Sequence, residues 1–308
     1  MTITDMDERW GLLGVPSSAG AHTPGLEKGP AALRAAGLAS LLVGGVHDYG
    51  DVPGFRWRAD LSRPTAKNVD AVARVASDTA AGVERILAAG QLPFVIGGDC
   101  SITVGVVAGF VRAGMGPALL YVDGGPDLYT PGTRANGNLD SMGLAHLLAI
   151  PGHVPALAGI GPVTPLLSAA SVVSYGHALP AVDVELDLLN ALGITHLHAD
   201  EVHADPVRAA ERARAAIESA GPRFVVHCDV DVLSFNDTPL ADVPDSGDEP
   251  IGLRLPELAA SLSVFASSPR FAGLVLTEVN PDHAPEPDVL PHFVTTLAKA
   301  LAGPEVSR

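Results

Sequence analysis

Acidic residues close several apolar runs of this chain, a placement suited to metal binding or to acid–base chemistry. Asp99 ends FVIGGD, Asp123 and Asp127 follow ALLYV in ALLYVDGGPD, Asp229 and Asp231 end VVHCDVD, and Glu278 sits in TEVNPD. A single Asp at such a place is more often a helix N-cap or a solvated loop residue. Several carboxylates gathered beside an apolar interior repel one another and lose hydration. They then require a bound cation, basic partners, or raised pKa values that keep some of them neutral. A divalent metal is the most economical answer. Side chains alternate along a strand, so His227, Asp229 and Asp231 share one face while Cys228 and Val230 take the other. His227 lies two residues before the metal end and reads as a satisfied core histidine rather than a ligand. His146, His196, His198 and His203 have no ligand-like spacing.

Such residues need a scaffold that brings strand ends together. Short apolar runs at 10–15, 92–98, 118–125, 171–176, 195–199, 223–231 and 272–280 read as strands. Amphipathic stretches at 28–43, 68–90, 101–114, 141–150, 183–193, 206–220, 255–266 and 287–302 read as the helices between them. Strands alternating with helices predict a parallel sheet, with ligands bound where the loops leave the carboxyl ends of its strands. No fixed-period repeat or Pro/Gly/Ser-rich linker divides the chain, so residues 1–308 are expected to form one domain. The polar stretch 232–253 follows a strand and is expected to be an active-site loop.

Composition narrows the partners. With 35 acidic against 19 basic residues the net charge is −16, which repels nucleic-acid backbones and anionic membranes. Only Cys100 and Cys228 are present, and the start MTITDMDERW lacks a signal-peptide pattern, so a cytoplasmic protein without disulfides is expected. No run of about eighteen apolar residues suggests a membrane span. A small molecule is the expected partner.

The blocks just described, in their order and spacing, resemble the arginase and agmatinase group of ureohydrolases over nearly the whole chain. GVPSSAGAHTPGLEKGPAALRAAGL resembles that family's first strand, glycine loop and helix start, and GGDCS its GGDHS. VDGGPDLYTPGTRANGNLDSM resembles its DAHxD block and the GNLHG segment after it, HCDVDVLSFNDTP its DVDxxDP block, and TEVNPDHAP its EVNP block. The resemblance implies a three-layer α/β/α fold on an eight-stranded parallel sheet, assembled as trimers or hexamers. It implies two Mn²⁺ ions that activate a hydroxide for attack on a guanidinium carbon. Asp123 and Asp229 match the bridging ligands, Asp127 a ligand of one ion and Asp231 a ligand of the other, while Glu278 matches the carboxylate that pairs with the substrate guanidinium.

Departures from the family pattern fall on its histidines. Cys100 stands at one histidine ligand and Gly125 at the other, and Asp140 stands where a histidine shuttles protons. A Cys100 thiolate would shift preference from Mn²⁺ toward Zn²⁺ or iron, and the alternative for Cys100 is a small buried apolar residue. Less than a full pair of Mn²⁺ ions is expected. Tyr129, Arg134 and Asn136 replace residues of the substrate loop, Asn138 is retained, Val182 replaces an acid near the substrate amino group, and Glu185 is kept. Arg134 suits three uses: an anionic substrate group, neutralisation of local acids, or solvent. Three functions follow, in order of preference. The first is a divergent metallohydrolase cleaving a C–N bond of an amidine- or guanidine-like molecule with one metal or an altered pair. The second is metal-free acid–base chemistry by Asp140 and Glu278 on a specialised metabolite. The third is a non-catalytic relative that binds a ligand or a paralogue.

Overall fold

Eight strands pair side by side in one sheet of order β2-β1-β3-β8-β7-β4-β5-β6. They are β1 (Trp10–Val15), β2 (Val46–Asp51), β3 (Leu92–Gly97), β4 (Ala118–Val122), β5 (Val172–His177), β6 (Thr195–His198), β7 (Phe224–Asp229) and β8 (Phe271–Thr277). Every pairing is parallel. The structure is a computed structural model and describes residues 8–241 and 251–302. Among the described residues no helix is long and apolar enough to cross a membrane.

Alternation along the strands divides the core into two layers. Leu12, Phe94, Leu120, Val226 and Leu274 face helices Pro206–Ala220, Leu255–Ala266 and Val289–Leu301 through Ile217, Phe265 and Phe293. Leu13, Val95, Leu119, Val225 and Val275 face helices Val69–Ala88 and Ile102–Arg112 through Val83, Ile86 and Phe110. Each fully buried Phe or Leu contributes about 1.5–3 kcal/mol by leaving water. Both faces are therefore covered, as an all-parallel sheet requires, and the α/β/α expectation holds.

The expected elements differ from the observed ones at their ends. Edge strand β2 has the sequence VHDYGD with mostly exposed side chains, so it lacks the apolar run that marks the other strands. The stretch 28–43 is not one helix, because Gly37 takes φ 88° between Gly29–Ala35 and Leu38–Leu41. The runs 118–125, 223–231 and 272–280 leave the sheet at Val122, Asp229 and Thr277.

Helix Gly143–Leu147 packs behind the carboxylates and carries His146, which is 1 % exposed and whose pKa burial pushes down to about 4. An unfolded imidazole titrates near 6.5, so the unfolded state takes up the proton first as pH falls. The stability from the neutral ring is complete above about 6.5 and is lost as pH drops toward about 4. The buried carboxyls titrate in the opposite sense, so the effect is read as a difference from His146→Leu. Denaturant melts at about pH 7 and about pH 5 should show the unchanged protein losing roughly 2 kcal/mol more than the variant. Equal losses would mean that the ring is hydrated.

Candidate active site

The middle of the sheet runs β3, β8, β7, β4, so the chain leaves β3 and enters β4 with two strands lying between them. This reversal opens a crevice at the carboxyl ends of the strands. Cys100 follows β3, Glu278 follows β8, Asp229 ends β7 and Asp123 follows β4. All four line a cavity of about 220 Å³, joined by Asp127, Tyr129, Arg134, Asn138, Asp140, Glu185 and Asp231. Asn136 is the one expected site residue outside it. That side chain is exposed and its Oδ1 accepts the Asn138 backbone N–H at 3.1 Å. His22 and Ser141 also line the cavity and were not legible as site residues, since neither sits in a run that ends in acids. None of the described residues of 232–253 lines it, and 242–250 lie outside the described residues.

Each strand ends because its carboxylate turns back to the chain. Asp123 Oδ1 accepts the Gly125 N–H at 2.7 Å, Asp229 Oδ1 the Asp231 N–H at 2.7 Å, and Asp231 Oδ1 the Gly124 N–H at 3.0 Å. Asp127 and Glu278 go further and adopt left-handed backbone, φ 51° and 64°. Such conformations are uncommon for residues with a side chain and gather at functional sites. After β3, a Cβ on Gly98 would fall 1.5 Å from the Ser17 carbonyl oxygen, so only glycine lets the first loop lie against the turn that presents Asp99 and Cys100. Asp99 itself is fully buried and accepts from the Gly20 N–H, the Ser101 N–H and the Ser101 hydroxyl.

Cys100, Asp123, His227 and Asp229 form a compact donor group, with one ligand atom from each lying within 4.8 Å of the others. The Cys100 thiol donates to Asp229 Oδ2 at 2.5 Å and lies 3.6 Å from His227 Nε2, which is 3.3 Å from Asp123 Oδ2. His227 is fully buried and stacked on Tyr121 at 4.0 Å, as a core residue would be. Its Nε2 nonetheless faces Asp123 and Cys100. Asp127 is held by the Tyr121 hydroxyl at 2.6 Å. His146, His196, His198 and His203 stay clear of the cavity, with His196 against His177 and His203 against Glu257.

Among the described residues, seven carboxylates face the cavity against one arginine. Burial, reinforced by mutual repulsion, raises Asp123, Asp229 and Glu278 well above the usual carboxylate range. Burial first and Asp99 second raise Asp140 to about 7, and burial raises Glu185 to about 7 although it accepts the Leu128 N–H at 2.7 Å. Burial and Asp229 likewise keep the Cys100 thiol protonated. Arg134 stacks over Tyr129, 4.7 Å from the ring centre, and its charge moderates both Asp140 and Glu185. Glu278 Oε1 and Asn138 Oδ1 are buried without a hydrogen-bond partner among the described residues. Unpaired buried acceptors and raised carboxyls are what a site built around a cation shows when only the protein is counted. The residues present fit a divalent metal.

Comparisons with known proteins agree with this layout. The family profile described as "Arginase family" matches residues 8–301. Arginase-1 of Oryctolagus cuniculus is 31% identical over 306 residues, covering 97% of this chain and 93% of the relative. The solved arginase of Bacillus caldovelox superposes with a TM-score of 0.85 at 26% identity, over 97% of this chain and 99% of that one. The fold alone is shared with formimidoylglutamase of Bacillus subtilis, at a TM-score of 0.75 and 17% identity over 96% and 87% of the two chains.

Proposed function

The chain belongs to the arginase family of metal-dependent hydrolases, and we propose that it cleaves a C–N bond of an amidine- or guanidine-like small molecule at an altered metal site. The observation that supports this most is the buried, unpartnered Glu278 Oε1 at the wall of a cavity with seven carboxylates and one arginine. Such a wall favours a cationic substrate over a neutral or anionic one. The donors around Cys100, Asp123 and Asp229 would hold a divalent cation, with Asp127 and Asp231 beside them. When bound, such an ion supplies Lewis acidity and lowers the pKa of water toward neutrality.

The chain's own groups do the rest. Glu278 orients the guanidinium or amidinium through a charge-assisted bond. Asp140, poised at about 7, holds a proton that it can give to the departing nitrogen. Asn138 offers a free acceptor toward the substrate from the opposite loop. Val182, where the family has an acid, is 92% exposed and leaves the substrate's amino end without that partner, which argues against arginine itself. On the family's ground the same reading makes the protein a cytoplasmic homo-oligomer of single-domain chains.

The test is a panel of guanidines, amidines and N-formimidoyl compounds assayed for urea, formamide and ammonia release with Mn²⁺, Zn²⁺ or Fe²⁺ added. Metal-dependent release from a cationic member is expected. No metal binding and no release across the panel would end the proposal. A second reading, metal-free acid–base chemistry by Asp140 and Glu278, draws on the same pKa near 7 of Asp140. Full activity after chelation would select it.

Gly125 offers a separate check on the altered site. A Cβ built there meets nothing closer than Glu185 Oε2 at 3.8 Å, so a side chain fits. Gly125→His is therefore expected to fold normally and to raise the Mn²⁺ content measured by elemental analysis from at most one ion per chain toward two. An unchanged metal content would show that the second position is lost for other reasons.

A further inference from the structure

We propose that His227 has taken over as the nitrogen ligand of this site, so that Cys100, Asp123, His227 and Asp229 form a single four-donor centre for a borderline, thiolate-tolerant divalent ion such as Zn²⁺. This rests on the reading above only in assuming that the cavity binds a cation, and it assigns the site a ligand and a metal class.

The distances carry the argument. Metal bonds of about 2.0–2.1 Å to nitrogen or oxygen and about 2.3 Å to sulfur, set tetrahedrally, separate the donors by about 3.3–3.6 Å. His227 Nε2 lies 3.3 Å from Asp123 Oδ2 and 3.6 Å from Cys100 Sγ. Those two edges already have tetrahedral length. The third, Cys100 Sγ to Asp229 Oδ2 at 2.5 Å, is shorter than tetrahedral length. Loading the ion breaks the S–H bond, releases that proton to solvent and leaves a thiolate on the metal, with the edge opening by about 1 Å.

Orientation of the imidazole is built in. Thr103 Oγ1 lies 2.7 Å from His227 Nδ1, and Tyr121 stacks on the ring with an interplanar angle of 14°. When Nδ1–H donates to Thr103, the Nε2 lone pair points at Asp123 and Cys100, the arrangement by which outer partners fix a metal-binding histidine. A hydroxyl at 103 on helix Ile102–Arg112 otherwise has little reason to be buried at 0% exposure. The independent sign of a ligand is Glu278 Oε1, buried and unpartnered among the described residues and lining the same cavity. A mixed sulfur, nitrogen and oxygen set favours Zn²⁺ over Mn²⁺ by both ligand softness and the ordinary affinity order of the divalent ions.

Metal binding to the full chain tests this without turnover. Chelator competition should give one Zn²⁺ per chain, bound at least about 10³-fold more tightly than Mn²⁺. The Co²⁺-loaded protein should show a thiolate charge-transfer band that disappears in Cys100→Ser. His227→Gln should weaken Zn²⁺ at least about 100-fold while keeping the band, and Thr103→Val should weaken it about 10-fold. If His227→Gln does not fold, X-ray absorption of the Zn²⁺ form decides by finding one sulfur and one imidazole in the ligand shell. An absent thiolate band, a preference for two Mn²⁺ ions, or undiminished affinity in His227→Gln would overturn the proposal. Correct metal spectra with an inert substrate panel would instead sink the hydrolase reading and leave this one standing.

Discussion

Asp229→Asn is expected to abolish tight binding of a divalent cation and to lower hydrolytic turnover by about 10³-fold or more. The residue lies at the centre of the site: Oδ1 takes the Asp231 N–H at 2.7 Å and Oδ2 the Cys100 thiol at 2.5 Å. An amide of the same size keeps the first bond, so the fold should survive. It removes the negative charge that a cation needs, and it relieves repulsion on Asp123, whose pKa burial and its acidic neighbours hold high. The metal-free variant should therefore melt no lower than the metal-free parent. Added Zn²⁺ or Mn²⁺ should raise the melting temperature of the parent alone, because only a state that binds the ion is stabilised by it. Calorimetry with and without metal, read beside turnover, checks both halves. A variant stabilised by metal as much as the parent would remove Asp229 from the ligand set.

The same strand ends explain how much of this arrangement could be read from the sequence. Apolar runs ending in Asp or Glu marked the central strands and five of the cavity's residues, Asp123, Asp127, Asp229, Asp231 and Glu278, because burial of a parallel strand leaves a continuous apolar signature and the acids stand where it stops, whereas Cys100, Tyr129, Arg134, Asn138, Asp140 and Glu185 were marked only by the family resemblance. The runs overshot the sheet at 118–125, 223–231 and 272–280 because glycine, valine and cysteine around the acids are as apolar as the strand itself. What ended the strands was carboxylate-to-backbone hydrogen bonds and the positive φ of Glu278, neither of which has a hydrophobic period. Strand β2 was invisible for the opposite reason, as an exposed edge strand needs no apolar run. His227 shows a different limit. Alternation placed it on the correct face, but whether a buried ring turns its lone pair to the acids depends on Thr103 and Tyr121, which are 124 and 106 residues away in the chain (227 − 103 and 227 − 121).

Glu278→Gln should separate stability from function most clearly. In the metal-free protein this carboxyl is buried, has one oxygen without a partner among the described residues, and is raised by burial and then by Asp229 and Asp140. Its backbone at φ 64° adds strain that a side chain normally avoids. A neutral amide of the same shape keeps the packing and removes the charge, so denaturant unfolding should show a gain of about 1–2 kcal/mol. Catalysis should move the other way. A guanidinium bound against a buried carboxylate loses its charge-assisted partner, and kcat/KM for a cationic substrate should fall about 10²–10³-fold, or roughly 3–4 kcal/mol. The loss should fall away for a neutral analogue, which never formed the pair. Metal affinity should change little, since Glu278 is not in the compact donor group. A loss of equal size for neutral and cationic substrates would mean that Glu278 acts on the metal or on the fold. The strained, unpaired acid would then need another reason to persist at the end of β8.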